Sequence, residues 1–473
     1  MWPVWQGMTC LPTEKGASST CSLGGYPVYA VNATSVAQIQ AAVNFARNKA
    51  LRLVVKNTGH DYMGKSVGAG ALSIWTHHLT QIEYIPEYTS SDFRGKAAVA
   101  GAGVRTFDIA KIAHENGASL VGGQCATVGF AAVQIVTPDG VHRTVNAESH
   151  PDLFWAIRGG GASTWGVVTS VTVRLHPRHP LTSCWISFHT SAEVSKETFW
   201  KGVRAYAENF EHFADAGFYG FTNIRRNHAG YNGSDFSLGI EPMLAPNMSM
   251  ESFDEVTRPF FDQLAALGIP FQAERRYFDS FHEGWAEIWP SEILVVAEPL
   301  DTPGSRLFPR EVWTDPEGLT AILDTFRNIS ELGYDVTGFL IAPQNPFNVD
   351  NAVSPALRHA LGYFSTSVEF PGNATSEHKA AAQEELMRNI LDPWREVAPS
   401  SKFGGSYLNE ANPMEPFWQD DLYGGNYPRL LEIKRKYDPN SLFYAVTGVG
   451  SEEWEVRSTE QGFRTQNGRL CRV

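Results

Sequence analysis

Two glycine-rich turns, each carrying a nucleophilic side chain, limit what this chain can fold into more than any other feature. The first reads Lys56-Asn57-Thr58-Gly59-His60-Asp61-Tyr62 and the second Gly122-Gly123-Gln124-Cys125-Ala126-Thr127-Val128-Gly129. Glycine lacks a Cβ and reaches positive φ cheaply, so a turn built on Gly59 lets backbone N–H groups approach an anion closely. A diphosphate is such an anion. Taken alone, His60 reads as a polar turn histidine and Cys125 as a small buried hydrophobe. Taken as a pair, they suit a group attached to the protein at two points.

The flanking sequence supplies the frame. Thr34-Ser35 followed by Gln38 is a capping-box start, and Val36, Ile39, Val43 and Ala46 recur at helical spacing. Residues 51–55 then form a strand that delivers the His60 turn and 71–75 another, which makes a β-α-β opening. Residues 97–101 lead through Gly103 into a helix with Phe107, Ala110, Ile112 and Ala113 apolar and Gly117 as its stop. Residues 167–175 alternate as a half-buried strand before Pro177. From about Leu181 the texture becomes aromatic strands, at 185–188, 236–240 and 339–342, between helices at 193–213, 252–267, 316–332 and 376–397. That alternation predicts an antiparallel sheet covered by helices, an α+β arrangement.

At 473 residues the chain exceeds the roughly 250–300 over which one core grows, so two domains are expected. A net charge of -13 with no lysine/arginine block argues against nucleic acid. The most apolar windows, such as 293–297, fall far short of the ~20 residues a bilayer span needs. Cys10 and Cys21 flank a turn as a small disulfide loop would, while Cys184 and Cys471 either pair or stay free. Sequons at Asn32, Asn232, Asn247, Asn328 and Asn373 point with that loop to a secretory route. Met1 to Trp5 lacks signal-peptide character, so the start reads as internal or mature. Gly159-Gly160-Gly161 lacks the spacing and later acidic residue of a Rossmann turn, which argues against NAD. His77, His78, His176 and His179 have no partners at metal-ligand spacing, so no metal is expected, and no Gly-X-Ser-X-Gly elbow occurs. Trp285 and Trp289 share a helical face, either bordering a cavity or filling the core.

Leu153-Phe154-Trp155-Ala156-Ile157-Arg158-Gly159-Gly160-Gly161-Ala162-Ser163-Thr164-Trp165-Gly166-Val167-Val168 adds a further glycine-rich stretch. Tyr407-Leu408-Asn409-Glu410 and Asn426-Tyr427 precede a closing run from Lys436 to Tyr444. With the two turns, and in this order, these segments resemble the berberine-bridge-enzyme-like branch of the vanillyl-alcohol-oxidase flavoproteins, in its fungal style. The resemblance implies a PCMH-type FAD-binding domain over 1–178, with its core at about 26–178. A substrate domain of antiparallel sheet covered by helices would fill 179–398, and 399–473 would return to the first domain. It implies covalent FAD, with His60 on the 8α-methyl group and Cys125 on the adjoining ring carbon. Asn57, Thr58, Gly59, Asp61 and Tyr62 would line the cofactor from the first turn, and Gly122, Gly123, Thr127, Val128 and Gly129 from the second. Gly161, Val168, Tyr407, Asn409 and Asn426 would complete its contacts.

Tyr407 and Glu410 are the candidate catalytic residues, a tyrosine and a carboxylate able to take a substrate proton. If residues 407–409 are extended, Tyr407 and Asn409 share a face. The plainer readings are sheet packing for these two, and likewise for Asn426 and Tyr427, and a solvated loop carboxylate for Glu410. One interval departs from the family pattern. Only 13 residues separate Cys125 from Asp139, where relatives carry a long glycine-rich loop and a helix, and residues 133–137 follow almost at once as the next strand. The leading expectation is an oxidase of a hydroxyl- or amine-bearing small molecule, a fungal secondary metabolite, with oxygen as acceptor. The alternatives are a flavin-poor protein that binds or cyclises an intermediate, and an oligosaccharide oxidase.

Overall fold

Ser35 caps the first helix as the sequence requires: its hydroxyl accepts from the Gln38 amide while Gln38 Oε1 accepts from the Thr34 amide at 2.8 Å. The structure, a computed structural model, describes residues 2–9, 21–90, 93–120, 130–226, 235–289, 300–343, 348–458 and 463–473. Strand β1 (Tyr29–Asn32), helix α1 (Val36–Asn48) and strands β2 (Leu53–Lys56) and β3 (Leu72–Trp75) come first. The strands form a parallel sheet in the order β1-β3-β2. Parallel strands need a crossover, and α1 supplies one, burying Ile39, Ala42, Val43 and Ala46.

Next come β4 (Ile82–Thr89), β5 (Arg94–Gly101), α2 (Thr106–Glu115), β6 (Ala118–Ser119), β7 (Phe130–Val136), β8 (His142–Val145), α3 (Pro151–Ile157), β9 (Val167–Arg174) and β10 (His176–Pro177). Five of these strands make an antiparallel sheet in the order β4-β5-β9-β7-β8. Helix α2 buries Ile109 and Ala113, while Phe107 stacks on Trp285 at 4.1 Å. Trp285 is therefore packed against α2, and it also borders a small cavity with Ala110, Leu120 and Phe281.

The chain then runs β11 (Leu181–His189), α4 (Lys196–Glu208), α5 (Phe210–Asp215), β12 (Tyr219–Arg226), β13 (Phe236–Pro246), α6 (Met250–Ala266), β14 (Gln272–Phe278), α7 (Phe281–Ile288), β15 (Asp301–Pro309), α8 (Arg310–Trp313), α9 (Pro316–Leu332), β16 (Val336–Leu340), α10 (Pro355–His359) and β17 (Ala360–Glu369). Seven strands pair antiparallel in the order β14-β11-β13-β12-β16-β17-β15. One face of this sheet is sealed by helices. Ile186, Phe188, Ile240, Ile224, Val336, Leu340 and Phe364 pack there on Phe199, Phe253, Phe260 and Phe326. Because side chains alternate along a strand, Phe221, Phe339 and Tyr363 point to the opposite face.

Helices α11 (Ser376–Leu386), α12 (Asp392–Val397), α13 (Trp418–Tyr423) and α14 (Tyr427–Tyr437) and the hairpin β18 (Trp454–Ser458) and β19 (Gly468–Arg472) complete the chain. Lys434, on α14, is buried and donates to Thr164 O at 2.8 Å, Asp438 Oδ2 at 2.6 Å and Phe443 O at 2.8 Å. Leu53 forms a parallel bridge with Phe443, so the closing run packs on the first sheet.

Several expectations are corrected. The single helix expected over 193–213 divides at Asn209, whose amide donates to Ala205 O at 2.7 Å and Gln263 Oε1 at 2.8 Å. The one over 376–397 contains a five-residue π-helical stretch, Met387–Leu391. Strands β12, β14, β15 and β17 were not foreseen. In β15 every residue is buried, which erases the alternation that marks a strand with one wet face. Cys184 and Cys471 are both free thiols. Cys10 lies outside the described residues.

Replacing Lys434 with Met leaves the buried Asp438 carboxylate with only the Leu442 and Phe443 amides, each at 2.9 Å. The expected loss of stability is about 3–5 kcal/mol, the cost of an unpaired buried charge. Urea unfolding monitored by tryptophan fluorescence reads it, and an unchanged midpoint contradicts it.

Candidate functional site

Strand β2 ends at Lys56 and delivers residues 57–60 as a turn with Gly59 at φ +88°. A methyl group there would meet only side-chain atoms, Lys56 Cε the nearest at 3.0 Å, so it is the conformation that calls for glycine. Asp61 folds the next residues over, accepting from the Lys65 amide at 2.5 Å and from Ser66 Oγ at 2.6 Å. His60 is exposed at the tip, with Thr58, and Asn57 is half-buried. Local desolvation lowers the His60 pKa below its ordinary value, with Asp61 pulling the other way. The imidazole is therefore neutral near pH 7, the nucleophilic form.

Two bonds lace this turn to residues 406–412. Tyr62 N donates to Asn409 O at 2.9 Å, and the buried Lys65 Nζ donates to Leu408 O at 3.2 Å. Burial pushes the Lys65 pKa down to about 8, partly opposed by Asp61. Residues 407–410 are a turn, closed by Glu410 N donating to Tyr407 O at 2.9 Å, not the extended run that alternation suggested. Tyr407 and Asn409 meet even so, Asn409 Nδ2 donating to Tyr407 Oη at 3.3 Å.

Glu410 Oε2 accepts from Tyr363 Oη, on β17, at 2.6 Å. Burial raises the carboxyl pKa of Glu410, and the bond from Tyr363 offsets part of the rise. This is not a solvated loop carboxylate. The Tyr363 phenol is itself held well above its ordinary value by burial and by the Glu410 charge, so it keeps its proton. Beyond it the open sheet face is a run of rings: Tyr363 with Tyr407 at 5.9 Å, with Phe339 at 5.6 Å, then Phe339 with Phe221 at 5.0 Å and with Tyr219 at 5.7 Å.

The remaining expected residues are placed as follows. Gly161, at φ +90°, backs onto Leu408 and Tyr423, each within 3.2 Å of where a methyl would sit. Val168 is half-buried in β9 opposite Ile135. Asn426 spends its amide on Val353 O at 3.1 Å, a loop-fixing bond, and Tyr427 donates to Glu452 at 2.6 Å. Gly122, Gly123, Cys125, Thr127, Val128 and Gly129 lie outside the described residues. Sequence reasoning missed Tyr363 and Lys65. Tyr363 sits in an unforeseen strand, and nothing in the local pattern of Lys65 marks a lysine as buried. Among the described residues no group of three or more His, Cys, Asp or Glu side chains is placed to hold a metal.

The first turn fits a flavin on its own geometry. Asn57 Oδ1 is buried and accepts no hydrogen bond from any described residue, so it is available to a hydroxyl or ring N–H. Gly59 opens the backbone beside it, and a neutral His60 stands exposed.

Comparisons with known proteins give the family. Residues 27–136 match the family described as FAD binding domain, and residues 406–450 the family described as Berberine and berberine like. The VAO-type flavoprotein oxidase VAO615 of Thermothelomyces thermophilus is 34% identical, over 99% of this chain and 82% of its own. The bifunctional decalin synthase calF of Penicillium decumbens is 32% identical, over 100% of this chain and 83% of its own. The crystal structure of the VAO-type flavoprotein MtVAO615 from Myceliophthora thermophila C1 superposes with a TM-score of 0.85 at 34% identity, covering 96% of this chain and 84% of that one. The chain thus belongs to the berberine-bridge-like, vanillyl-alcohol-oxidase-type flavoproteins, and it is an FAD-dependent oxidoreductase. The alignment with VAO615 runs over 501 residues against the 473 of this chain, so the relative carries at least 28 residues in the matched region that this chain lacks.

Lys65 gives the site a pH signature. Its folded pKa of about 8 lies below the unfolded 10.5, so between those values the unfolded chain binds more protons and stability rises with pH. Relative to Lys65→Met, the native protein should gain up to about 3 kcal/mol across that window. Urea midpoints at pH 7.5 and 10 measure the difference, and a flat or falling one overturns the assignment.

Proposed function

We propose that the protein oxidises a hydroxyl- or amine-bearing natural product, with FAD attached covalently at His60, a second tether at Cys125, and oxygen as the electron acceptor. The observation that carries this reading is the Glu410–Tyr363–Tyr407 cluster. It lies between an aromatic sheet face and the turn that presents His60, and Tyr62 N joins it to that turn. FAD, when bound, supplies the acceptor for a hydride from the substrate carbon and passes the electron pair on to oxygen.

The residues present account for the protein's share. Asn57 Oδ1 and the Gly59 backbone hold and orient the cofactor, and the Asp61 bonds keep the turn rigid while His60 stays exposed. Phe221, Phe339 and Tyr219 present an apolar wall that excludes water and lays a flat substrate against the site. Glu410, ionised, takes the proton of the substrate hydroxyl or ammonium group. Tyr363 donates to that carboxylate and holds it in place, and Tyr407, oriented by Asn409, donates to the substrate heteroatom. This wall favours a bulky, partly apolar substrate over an oligosaccharide. A second reading, in which the chain guides a cyclisation without redox chemistry, draws on the relative named a decalin synthase and on the short interval after Cys125.

Purified protein is expected to absorb between about 350 and 500 nm and to keep fluorescent flavin in an acid-denaturing gel. It should release peroxide on turnover, and the flavin should stay attached in Cys125→Ala through His60 but wash out when His60→Ala is added to that variant. A colourless native protein sinks the oxidase reading in favour of the cyclase, whereas label lost from Cys125→Ala, or surviving in the double variant, removes the tether from His60 alone.

Because the Glu410 pKa is raised, the base is lost as pH falls through a value above the ordinary carboxylate range, so kcat/KM should rise with pH there. Tyr363→Phe removes a hydrogen bond to the charged form, worth about 1.5–3 kcal/mol, and should move that limb up by about one to two pH units. Glu410→Gln should abolish the limb. A limb unmoved in Tyr363→Phe contradicts the pairing.

A further inference from the structure

The open sheet face carries two rows with opposite chemistry. In one, Phe221, Phe339 and Tyr363 stand directly opposite one another across β12, β16 and β17. Two residues further along each strand, Asn223, Thr337 and Ser365 do the same, and Gly239 of β13 continues that row beyond Asn223. The first row is aromatic and the second is polar.

The polar row ends in an unfinished corner. Thr337 Oγ1 donates to Asn223 Oδ1 at 3.0 Å, which fixes the amide. Asn223 is 4% exposed, and its Nδ2 donates to no described residue. Next to it Gly239 leaves a gap that the Glu241 carboxylate fills, for a methyl at Gly239 would lie 2.7 Å from Glu241 Oε1. Glu241 is half-buried and forms no ion pair with a described residue. A buried amide donor therefore lies beside a carboxylate acceptor, with neither satisfied by the other. A hydroxyl group accepts from one and donates to the other.

Resting on the oxidoreductase reading above, we propose that Asn223 and Glu241 are specificity residues that bind a hydroxyl of the substrate remote from the carbon oxidised at Glu410. The substrate class follows from the geometry. Tyr363 and Asn223 are two strands and one row apart, roughly 12 Å on the diagonal. A fused two-ring aromatic body, lying on Phe221 and Phe339 and hydrogen-bonded at either end, spans that distance. The preferred substrate is thus a flat oxygenated aromatic alcohol, with its hydroxymethyl group and its ring hydroxyl at opposite ends.

Two probes test this on the purified full-length protein, its flavin reduced beforehand with dithionite, by isothermal titration calorimetry without oxygen: naphthylmethanol, and naphthylmethanol bearing a hydroxyl diagonally across its ring system. The hydroxylated probe should bind about tenfold or more tightly, as expected of a site whose polar groups are otherwise unpaired. In Asn223→Leu the preference should fall to about twofold or less, and in Glu241→Gln it should fall by part of that. Far-UV circular dichroism and melting confirm that the variants are folded, and in turnover the difference should appear in KM and not in kcat. Equal binding of the two probes, binding of neither, or a preference that survives in both folded variants overturns the proposal. Because the readout is binding, these outcomes are separate from a failure of the flavin reading, which the colour of the protein reports.

Discussion

The lacing of residues 408 and 409 onto residues 62 and 65 is the contact on which the site depends. His60 stands on the first sheet, and the catalytic candidates stand against the seven-stranded one. Tyr62 N to Asn409 O and Lys65 Nζ to Leu408 O tie the Tyr407 turn to the His60 turn. The lysine bond is a costly device, since burying an ammonium opposes its charge, as the depressed pKa of Lys65 records. A neutral side chain would bury at less cost but could not reach a carbonyl with three donors. The strain is accepted where position matters most, as expected at a site whose chemistry depends on the distance between two groups.

The same logic separates Glu410 from Tyr363. Both are buried, and burial disfavours each charged form. Only one can carry charge at neutral pH, because the tyrosine starts far higher and a nearby carboxylate raises it further. The Oη to Oε2 bond is thus one in which the phenol is the neutral donor, and it favours the charged form of the carboxyl that accepts it. It fixes one carboxylate oxygen, Oε2.

Most of the first sheet was legible in the sequence because its signals are local. The Ser35 cap, the apolar spacing of α1 and the glycine at positive φ each act within a few residues. The order of the chemical segments was legible too, through the resemblance. What stayed hidden depends on pairing. Tyr363 becomes a partner of Glu410 only because β17 lies beside β16 and β15, and β15 is covered on both faces, so its pattern has no period to read. Lys65 is buried by residues more than three hundred positions away. Asn426, sensible by motif, spends its amide on a loop carbonyl that no local pattern announces.

The short interval after Cys125 bears on whether such a site can assemble at all. Strand β7 begins at Phe130 and still pairs with β9 along most of its length and with β8 from Val133 to Val136. The sheet therefore closes with only 13 residues between Cys125 and Asp139. The entropic cost of closing a loop changes only slowly with its length, about 0.6 kcal/mol for each doubling, so removing a segment between fixed strands need not unfold the sheet. Its consequence falls on what the segment would have covered. The proposed attachment at His60 draws on β2, on Gly59 and on the bonds of Asp61. The proposed tether at Cys125 stands at the head of that interval, so the two linkages draw on different parts of the chain and are separable by substitution.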